Sequence, residues 1–171
     1  RVPVCIICEE GDQAMLARLI QLCSSAVVAF VFAVSSPALA ADDGVVKVKS
    51  AFPMMETVGR LKTDIAGKGI KFFAEIHQSE LAADAGVKLR PSVLLVFGNP
   101  VLGTQFITAN AAAGLDWPVR LLVFENEKGE VWLAYTDFAW IARRHGITTR
   151  QDQFRMASNV IASITSSVGS K

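Results

Sequence analysis

The amino-acid sequence predicts an α+β domain, with helices packed on one face of a largely antiparallel sheet. The strongest observation is a β-hairpin signal, because apolar segments 119–125 and 130–135 flank the turn-forming residues Asn126-Glu127-Lys128-Gly129. The second is a set of helical stripes, in which apolar residues recur every three or four positions before and after that hairpin. A hairpin combined with interspersed helices favours α+β over an all-parallel α/β architecture.

Five strands are predicted along the chain. Alternating or continuous apolar patterns place them, in order, at residues 45–49, 70–77, 92–97, 119–125 and 130–135. Alternation in the second strand predicts that Phe72, Ala74 and Ile76 face the same side of the sheet. The third segment is apolar from Val93 to Phe97 without alternation, which predicts a central strand buried on both faces.

Three helices are predicted before the hairpin. Pro53 marks the start of the first and Gly67 its end, and its apolar stripe comprises Phe52, Met55, Val58, Leu61 and Ile65. The second helix, 79–85, is short. The third, at about 101–109, begins after the turn-forming sequence Gly98-Asn99-Pro100, since proline is favoured at the first helical position.

Residues 111–118 are predicted to form a loop that leads into the hairpin. After the hairpin, Asp137 is expected to cap a fourth helix that ends at Gly146. Thr148 or Thr149 is expected to start a final helix. The stripe of that helix consists of Phe154, Ala157, Val160, Ile161, Ile164 and Val168.

Residues 15–40 are typical of a secretory signal peptide. Arg18 supplies a positive charge, an apolar run follows, and Ser35-Ser36-Pro37-Ala38-Leu39-Ala40 ends it with the small residues that a signal peptidase needs. A membrane anchor is the alternative. A span needs about 20 mostly apolar residues, whereas this run is shorter and contains polar residues. We therefore expect cleavage between Ala40 and Ala41 and a periplasmic location for the mature protein.

Residues 1–14 are interpreted as an upstream extension outside the fold, because acidic residues ahead of a signal peptide are atypical. The mature part, 41–171, has a length typical of a single domain. The three cysteines all precede it, namely Cys5, Cys8 and Cys23. We expect neither a disulfide nor a thiolate metal site in the mature domain.

Charge and motifs exclude several classes of function. The chain has 17 Lys and Arg against 16 Asp and Glu, a formal charge of +1, so nothing indicates nucleic-acid binding or membrane association after cleavage. The sequence has no G-x-S-x-G, H-E-x-x-H or P-loop motif, and we expect no cofactor. Two histidines without a ligand spacing predict no metal site.

Four ordered stretches resemble the domain-of-unknown-function 302 family. They are Val93-Leu94-Leu95-Val96-Phe97-Gly98-Asn99-Pro100-Val101-Leu102-Gly103-Thr104, Gly114-Leu115-Asp116-Trp117-Pro118-Val119-Arg120-Leu121-Leu122-Val123, Val131-Trp132-Leu133-Ala134-Tyr135 and Arg144-His145-Gly146. The resemblance extends over about residues 43–147, most of the mature chain. Several spaced motifs in the same order make it specific.

The resemblance implies a small α+β domain with a TATA-binding-protein-like layout of sheet and helices. It also implies frequent pairing as a homodimer and frequent export from bacteria, with no assigned activity. Two positions depart from the family pattern. Trp117 stands where relatives tend to carry Leu, and His77 stands where an Asp is common. The role of an acidic group at position 77 therefore does not transfer to this chain.

Four residues are candidates for ligand binding. Asn99 and Thr104 lie at a predicted helix start, whose free N–H groups can hold an anion. The alternative interpretation, which the turn chemistry favours, is that Asn99 is a helix cap within a tight turn and Pro100 is the first helical residue. Arg120 lies in an apolar strand and either binds an anion or forms a structural ion pair, for which Asp116 is the near partner in sequence.

Three residues are weaker candidates for catalysis. His145, in the last turn of a predicted helix, is either a C-terminal cap or a general base. Asp137 and Tyr135 are close enough in sequence to accompany it. Tyr135 is otherwise a strand-edge residue with its hydroxyl in water.

Three functions remain open at this point. The first is a non-catalytic periplasmic domain that holds a small anionic or amphipathic ligand between the sheet and the helix after Pro100. The second is an enzyme of unassigned type, in which His145 and a carboxylate converge on one pocket. The third is a dimeric structural protein, marked by an apolar patch that includes Trp117 or Trp132.

Overall fold

The structure is a computed structural model that describes residues 43–170. The strands are β1 (Val45–Lys49), β2 (Lys71–His77), β3 (Ser92–Gly98), β4 (Val119–Glu125) and β5 (Val131–Thr136). The helices are α1 (Met54–Gly67), α2 (Gln78–Asp84), α3 (Pro100–Ala109), α4 (Phe138–Arg144) and α5 (Gln151–Ser166). The predicted extension, signal peptide and cleavage point after Ala40 lie outside the described residues.

The five strands form one antiparallel sheet in the order β1-β5-β4-β3-β2. This sheet and its helices confirm the predicted α+β class. The hairpin between β4 and β5 is closed by Asn126, whose Oδ1 accepts hydrogen bonds at 2.9 Å from the backbone N–H groups of Lys128 and Glu130. The predicted turn chemistry therefore forms, because an asparagine carboxamide can replace a backbone acceptor in a tight turn.

The core lies between one face of the sheet and the helices. α1 and α5 bury apolar stripes as their periodicity predicts, and Leu61 and Ile164 are fully buried. The prediction for Met55 is wrong, because its side chain is 63% exposed and Met54 takes the buried position one residue earlier. Phe106 of α3 stacks on Phe154 of α5, with ring centroids 4.2 Å apart. The fully buried side chains contributed by the sheet are Leu95, Phe97, Leu121, Val123 and Leu133.

The prediction that β3 is buried on both faces is wrong. Val93, Leu95 and Phe97 point to the helices and are buried, whereas Leu94 and Val96 point to the other side and are only half-buried. That side is apolar on the central strands, where β4 and β5 contribute similar residues. It also carries charged side chains, because Lys47 and Lys49 of β1 and Arg120 of β4 are paired with residues of this side. We call it the open face, and its half-buried apolar side chains include Leu94, Val96, Leu122, Phe124, Trp132 and Ala134.

The predicted alternation in β2 is also wrong. Phe72 lies opposite Phe97, but the register shifts between Phe72 and Ala74, so that Ala74 lies opposite Val96. Phe72 and Ala74 consequently face opposite sides of the sheet, since directly paired residues share a face. The cause is a β-bulge at Phe73, which inserts one residue and resets the alternation.

The predicted loop over 111–118 contains regular structure. Ala111–Leu115 form a 3-10 turn that begins at Asn110, whose Oδ1 accepts a hydrogen bond from the N–H of Ala112 at 2.9 Å. The asparagine cap and three consecutive alanines account for it, because alanine has the highest helical propensity. The remaining predicted elements are confirmed within a residue or two of their bounds.

The end of the described chain closes onto β1. Ser170 donates its backbone N–H to Lys49 at 2.9 Å, and Ala51 donates to Val168 at the same distance. Ser50 and Gly169 form an antiparallel bridge between these contacts. The edge strand β1 is therefore held by β5 on one side and by the last residues at its carboxyl end.

Glu130 is expected to give the fold a dependence on acidic pH. Its carboxylate accepts from Lys49 Nζ at 2.6 Å and from Asn126 Nδ2 at 2.7 Å. These bonds lower the pKa of Glu130 from 4.5 to about 2, chiefly through Lys49. A lowered pKa contributes stability above the unfolded value, and this contribution is lost as pH falls through about 2.

The measurement is a comparison of the thermal unfolding midpoints of the native protein and the Glu130→Gln variant from neutral pH down to about pH 2. We expect a difference at neutral pH that shrinks as the pH falls. Glu127→Gln, which alters an exposed carboxylate in the same turn, is the matched control. A Glu130→Gln difference that stays constant with pH would contradict the prediction.

Candidate functional site

Asp116 is the centre of a buried charge cluster. Its side chain is 3% exposed, and its Oδ2 lies 2.6 Å from His145 Nε2. Arg144 Nη1 donates to both carboxylate oxygens at 3.1 Å. Arg120 Nη2 lies 3.3 Å from Oδ1 and also donates to the carbonyl of Leu115 at 2.8 Å. The structural ion pair, one of the two alternatives that the sequence leaves open for Arg120, is therefore present.

Three segments bring the cluster together. Asp116 ends the 3-10 turn, where its backbone N–H donates to Ala113 at 3.0 Å. His145 caps the end of α4, and its carbonyl accepts from Asn110 Nδ2 at 2.8 Å. Arg120 comes from β4. The buried carboxylate is compensated by several donors, as a buried charge requires, so the cluster ties these segments together.

The candidate residues at the start of α3 have partners within their own helix. Asn99 Oδ1 accepts from the N–H groups of Val101 and Leu102, at 2.9 and 3.3 Å. Thr104 Oγ1 donates to the carbonyl of Pro100 at 2.8 Å. Asn99 thus acts as the helix cap, as the structural interpretation of the sequence predicts. It also lines the groove described below.

The candidate catalytic residues do not converge. Asp137 caps the start of α4 through a 2.6 Å bond from the N–H of Ala139, whereas His145 stands at the other end of the same helix. A helix of this length separates its ends by roughly 10 Å. Tyr135 is half-buried on β5, and burial, followed by the charge of Asp137, raises its pKa. The carboxylate that meets His145 is Asp116 instead.

A groove of about 980 Å³ runs between α3 and α5 on the helical side of the sheet. Its floor consists of apolar side chains from three elements, Phe97, Phe106 and Val119. Exposed or half-buried apolar residues from both helices extend the walls, including Val101, Leu102, Met156 and Val160. Polar residues at its edge include Lys68, Asn99, Gln105, Asp152, Arg155 and Asn159.

Trp117 closes part of this groove. Its indole packs against Gly98 and Gly103, where a Cβ on Gly98 would lie 2.9 Å from Nε1 and one on Gly103 would overlap the ring. The peptide bond between Trp117 and Pro118 is cis. The two glycines are the sequence signal that could have indicated this packing, because glycine in a strand such as β3 or a helix such as α3 is unfavourable without a close neighbour.

Sequence reasoning placed the ligand near the helix after Pro100, and the groove adjoins that helix. Of the four predicted ligand residues, Asn99 lines the groove, whereas Thr104, Asp116 and Arg120 do not. Lys68, Arg155 and Met156 also line the groove. They could not be expected there from the sequence, because they come from distant segments that only the packing of α5 brings close. A second depression, of about 780 Å³ between α4 and α5, is likewise not lined by Asp116 or His145.

Two further properties of residues 43–170 bear on the site. Within this range, no group of three or more His, Cys, Asp or Glu side chains is arranged to hold a metal ion. No helix in the described part combines the length and the apolar character needed to cross a bilayer.

Comparison with known proteins gives similarity to three proteins named as ion channels. The chain is 36% identical over 111 residues to "Fluoride-specific ion channel FluC 1" of Brucella suis, which is 65% of this chain and 44% of that protein. The same identity is found with FluC 1 of Brucella abortus and FluC 2 of Brucella melitensis, at 41% of each. The chain therefore spans less than half the length of these curated relatives.

A solved structure shares the fold. The crystal structure of an uncharacterized conserved DUF302 protein from Bacillus stearothermophilus superposes with a TM-score of 0.67 at 16% identity, covering 74% of this chain and 98% of that one. The family described as "Domain of unknown function DUF302" matches residues 46–164. These motifs, this fold and this match show that the chain belongs to the DUF302 family, for which no biochemical role is assigned.

Proposed function

We propose that residues 41–171 form an exported periplasmic domain that binds a small amphipathic anion in the groove between α3 and α5, without catalysing a reaction. The observation that carries the proposal is the combination of a buried apolar floor with cations at the edge of the groove. Ligand sites of soluble proteins have this composition and typical volumes of about 300–1,000 Å³.

The walls of the groove provide the affinity for an apolar group, because Val101 is 77% exposed and burial of exposed apolar surface stabilises a complex. Phe97 and Phe106 are 2% and 3% exposed, and the core holds them in place as the floor. A preformed apolar surface costs little ordering on binding. Met156, 56% exposed on the neighbouring helix, adds a flexible side chain that adapts to irregular shapes.

The edge provides a preference for negative charge. Arg155 is paired with Asp152 at 2.7 Å, but both side chains are more than 70% exposed. Lys68, which follows the last residue of α1, is paired with Asp64 of that helix at 2.6 Å, and this pair is 32% and 26% exposed. Pairs that solvent reaches are worth little, so either cation can turn to a carboxylate, phosphate or sulfonate of a ligand.

Export rests on the sequence of residues 15–40, with cleavage between Ala40 and Ala41 as the proposed first step. The name fluoride-specific ion channel describes the complete Brucella proteins. The region that this chain shares with them is less than half of their length. We therefore assign to this chain only a binding role that its own groove supports.

An enzyme is the less favoured alternative. The enzyme hypothesis requires a carboxylate beside His145 and a pocket that both residues line. The first requirement is met, because His145 lies 2.6 Å from Asp116. The second is not met by either cavity described above, because neither is lined by His145 or Asp116. Binding without catalysis is accordingly the function that the geometry supports best.

A homodimer is a second proposal, and it is compatible with ligand binding. The open face carries apolar side chains on β3, β4 and β5, including Trp132, one of the residues that the dimer hypothesis names. Arg120 and two lysines of β1 lie on the same face and would form the charged rim of such an interface. It lies on the opposite side of the sheet from the groove. Pairing through the open face would leave the groove accessible in both copies.

The test uses the mature domain recovered from a periplasmic fraction and the fluorescent probe anilinonaphthalene sulfonate, an amphipathic anion. We expect saturable binding of one probe per chain. The double variant Lys68→Gln/Arg155→Gln should weaken it about tenfold, by removing about 1.4 kcal/mol of charge interaction. The uncharged N-phenylnaphthylamine should bind equally to both proteins.

The control is Lys88→Gln/Lys128→Gln, which removes the same charge from exposed positions outside the groove. Equal weakening in this control, or an absence of saturable binding by the native domain, would contradict the proposed function. Native mass spectrometry of the same sample reads three further quantities. They are the stoichiometry of the probe, the mass expected for a chain that begins at Ala41, and the presence of a dimer.

A further inference from the structure

The position of Trp117 is fixed from two sides. On one side, the indole lies against the backbone of β3 and α3, at the two glycines where a side chain is sterically excluded. On the other, Phe73 contacts it edge-on, with ring centroids 6.1 Å apart and an interplanar angle of 79°. Such aromatic pairs add about 0.5–1.5 kcal/mol beyond the area they bury.

The β-bulge explains why Phe73 is available for this contact. A bulged residue escapes the strict alternation of the strand and re-aims its side chain. Phe73 is 40% exposed, and Lys71 Nζ lies 5.4 Å from the centroid of its ring. The bulge, Phe73 and the glycine pair therefore act together on one indole, although they come from three separate segments.

Trp117 belongs to the wall of the groove. The residues that it packs against, Gly98 and Gly103, line the same groove. Phe106 lies three residues after Gly103 on α3. It lines the part of the groove nearer the start of α5, where it stacks on Phe154. The apolar channel between the helices is thus bounded by the indole at the β3–α3 junction.

We infer that Trp117 is a specificity-determining residue, whose indole limits the length of the apolar tail that the groove accepts. This inference rests on the proposed binding of an amphipathic anion. A tail that lies on Phe97 and Phe106 and continues toward Gly98 meets the indole, and additional methylenes then remain in water. Replacement of the indole by a shorter side chain extends the channel into the space that the ring vacates.

The test is displacement of anilinonaphthalene sulfonate by straight-chain carboxylates of increasing length. For the native domain, affinity should rise about fourfold per methylene, the value for burial of one CH₂, and then level off. In Trp117→Leu, the chain length at which the affinity levels off should be at least two carbons greater. The affinity for the shorter carboxylates should be unchanged. Trp117→Phe should fall between the two proteins.

Trp132→Leu is the matched control, because it makes the same change at a half-buried tryptophan on the open face. Its chain-length profile should equal the native one. The inference is overturned if Trp117→Leu and the native domain level off at the same length while both still bind the probe. Loss of probe binding by the native domain would instead reject the proposed function itself.

A second measurement does not depend on the stability of Trp117→Leu. In the double variant Trp132→Phe/Trp140→Phe, Trp117 is the remaining tryptophan of the chain. Added in the absence of the probe, the carboxylates that displace it should change the emission of Trp117, with a larger change for the longer ones. Displacement without any change in that emission would show that the bound tail does not reach the indole, and would overturn the inference.

Discussion

The substitution Asp116→Asn is expected to lower the free energy of unfolding by about 3 kcal/mol, the low end of the range for breaking a buried ion pair. The change preserves shape and removes only the charge. His145 and Arg144 would then face a neutral amide in place of a carboxylate that accepts from both. We take the low end because Arg144 and Arg120 are 44% and 52% exposed and can turn to water.

Chemical denaturation followed by circular dichroism measures this loss. Asp137→Asn is the control, since it makes the same chemical change at a helix cap where asparagine serves as well as aspartate. Its effect should stay within about 0.5 kcal/mol. Similar losses in the two variants would mean that the cluster around Asp116 is not a specific source of stability.

Gly103→Ala is expected to destabilise the fold by about 2 kcal/mol, the usual cost of an overfilled core. A methyl group at this position overlaps the indole of Trp117, so the ring or α3 must shift. Gly59→Ala makes the same change inside α1, where nothing lies within 4 Å of the added Cβ. It should stabilise the protein by about 0.8 kcal/mol through helix propensity alone.

A double variant separates the steric cause from a general intolerance of α3. In a Trp117→Leu background the clash is removed, and Gly103→Ala should then cost little or even become favourable. The free energies come from the same denaturation experiment and form a double-mutant cycle. An unchanged cost of Gly103→Ala in both backgrounds would refute the assigned contact.

The elements with sustained periodicity could be predicted from the sequence, because one buried face imposes a regular spacing. The stripe of α5 and the turn of the β4–β5 hairpin are of this kind. The bulge at Phe73 could not, since an inserted residue breaks the regularity on which the prediction depends. The burial of β3 was misjudged because Leu94 and Val96 are apolar without being covered.

In the candidate site, too, contacts between residues near in sequence could be predicted, whereas contacts made by tertiary packing could not. Asp116 and Arg120 are four residues apart, and their pairing could be expected from that distance along the chain. Arg144 and His145 reach the same carboxylate from 28 and 29 residues away, through the placement of α4. The groove depends on how α3 and α5 lie against each other, which no single segment encodes.

The position of β1 has a consequence for the order in which the domain assembles. β2, β3, β4 and β5 each pair with their neighbour along the chain, whereas β1 pairs with β5, placing Val45 opposite Thr136. Closing so long a loop costs conformational entropy before any contact compensates it. We therefore expect the four-strand meander to form first and the first described strand to be synthesised to dock last.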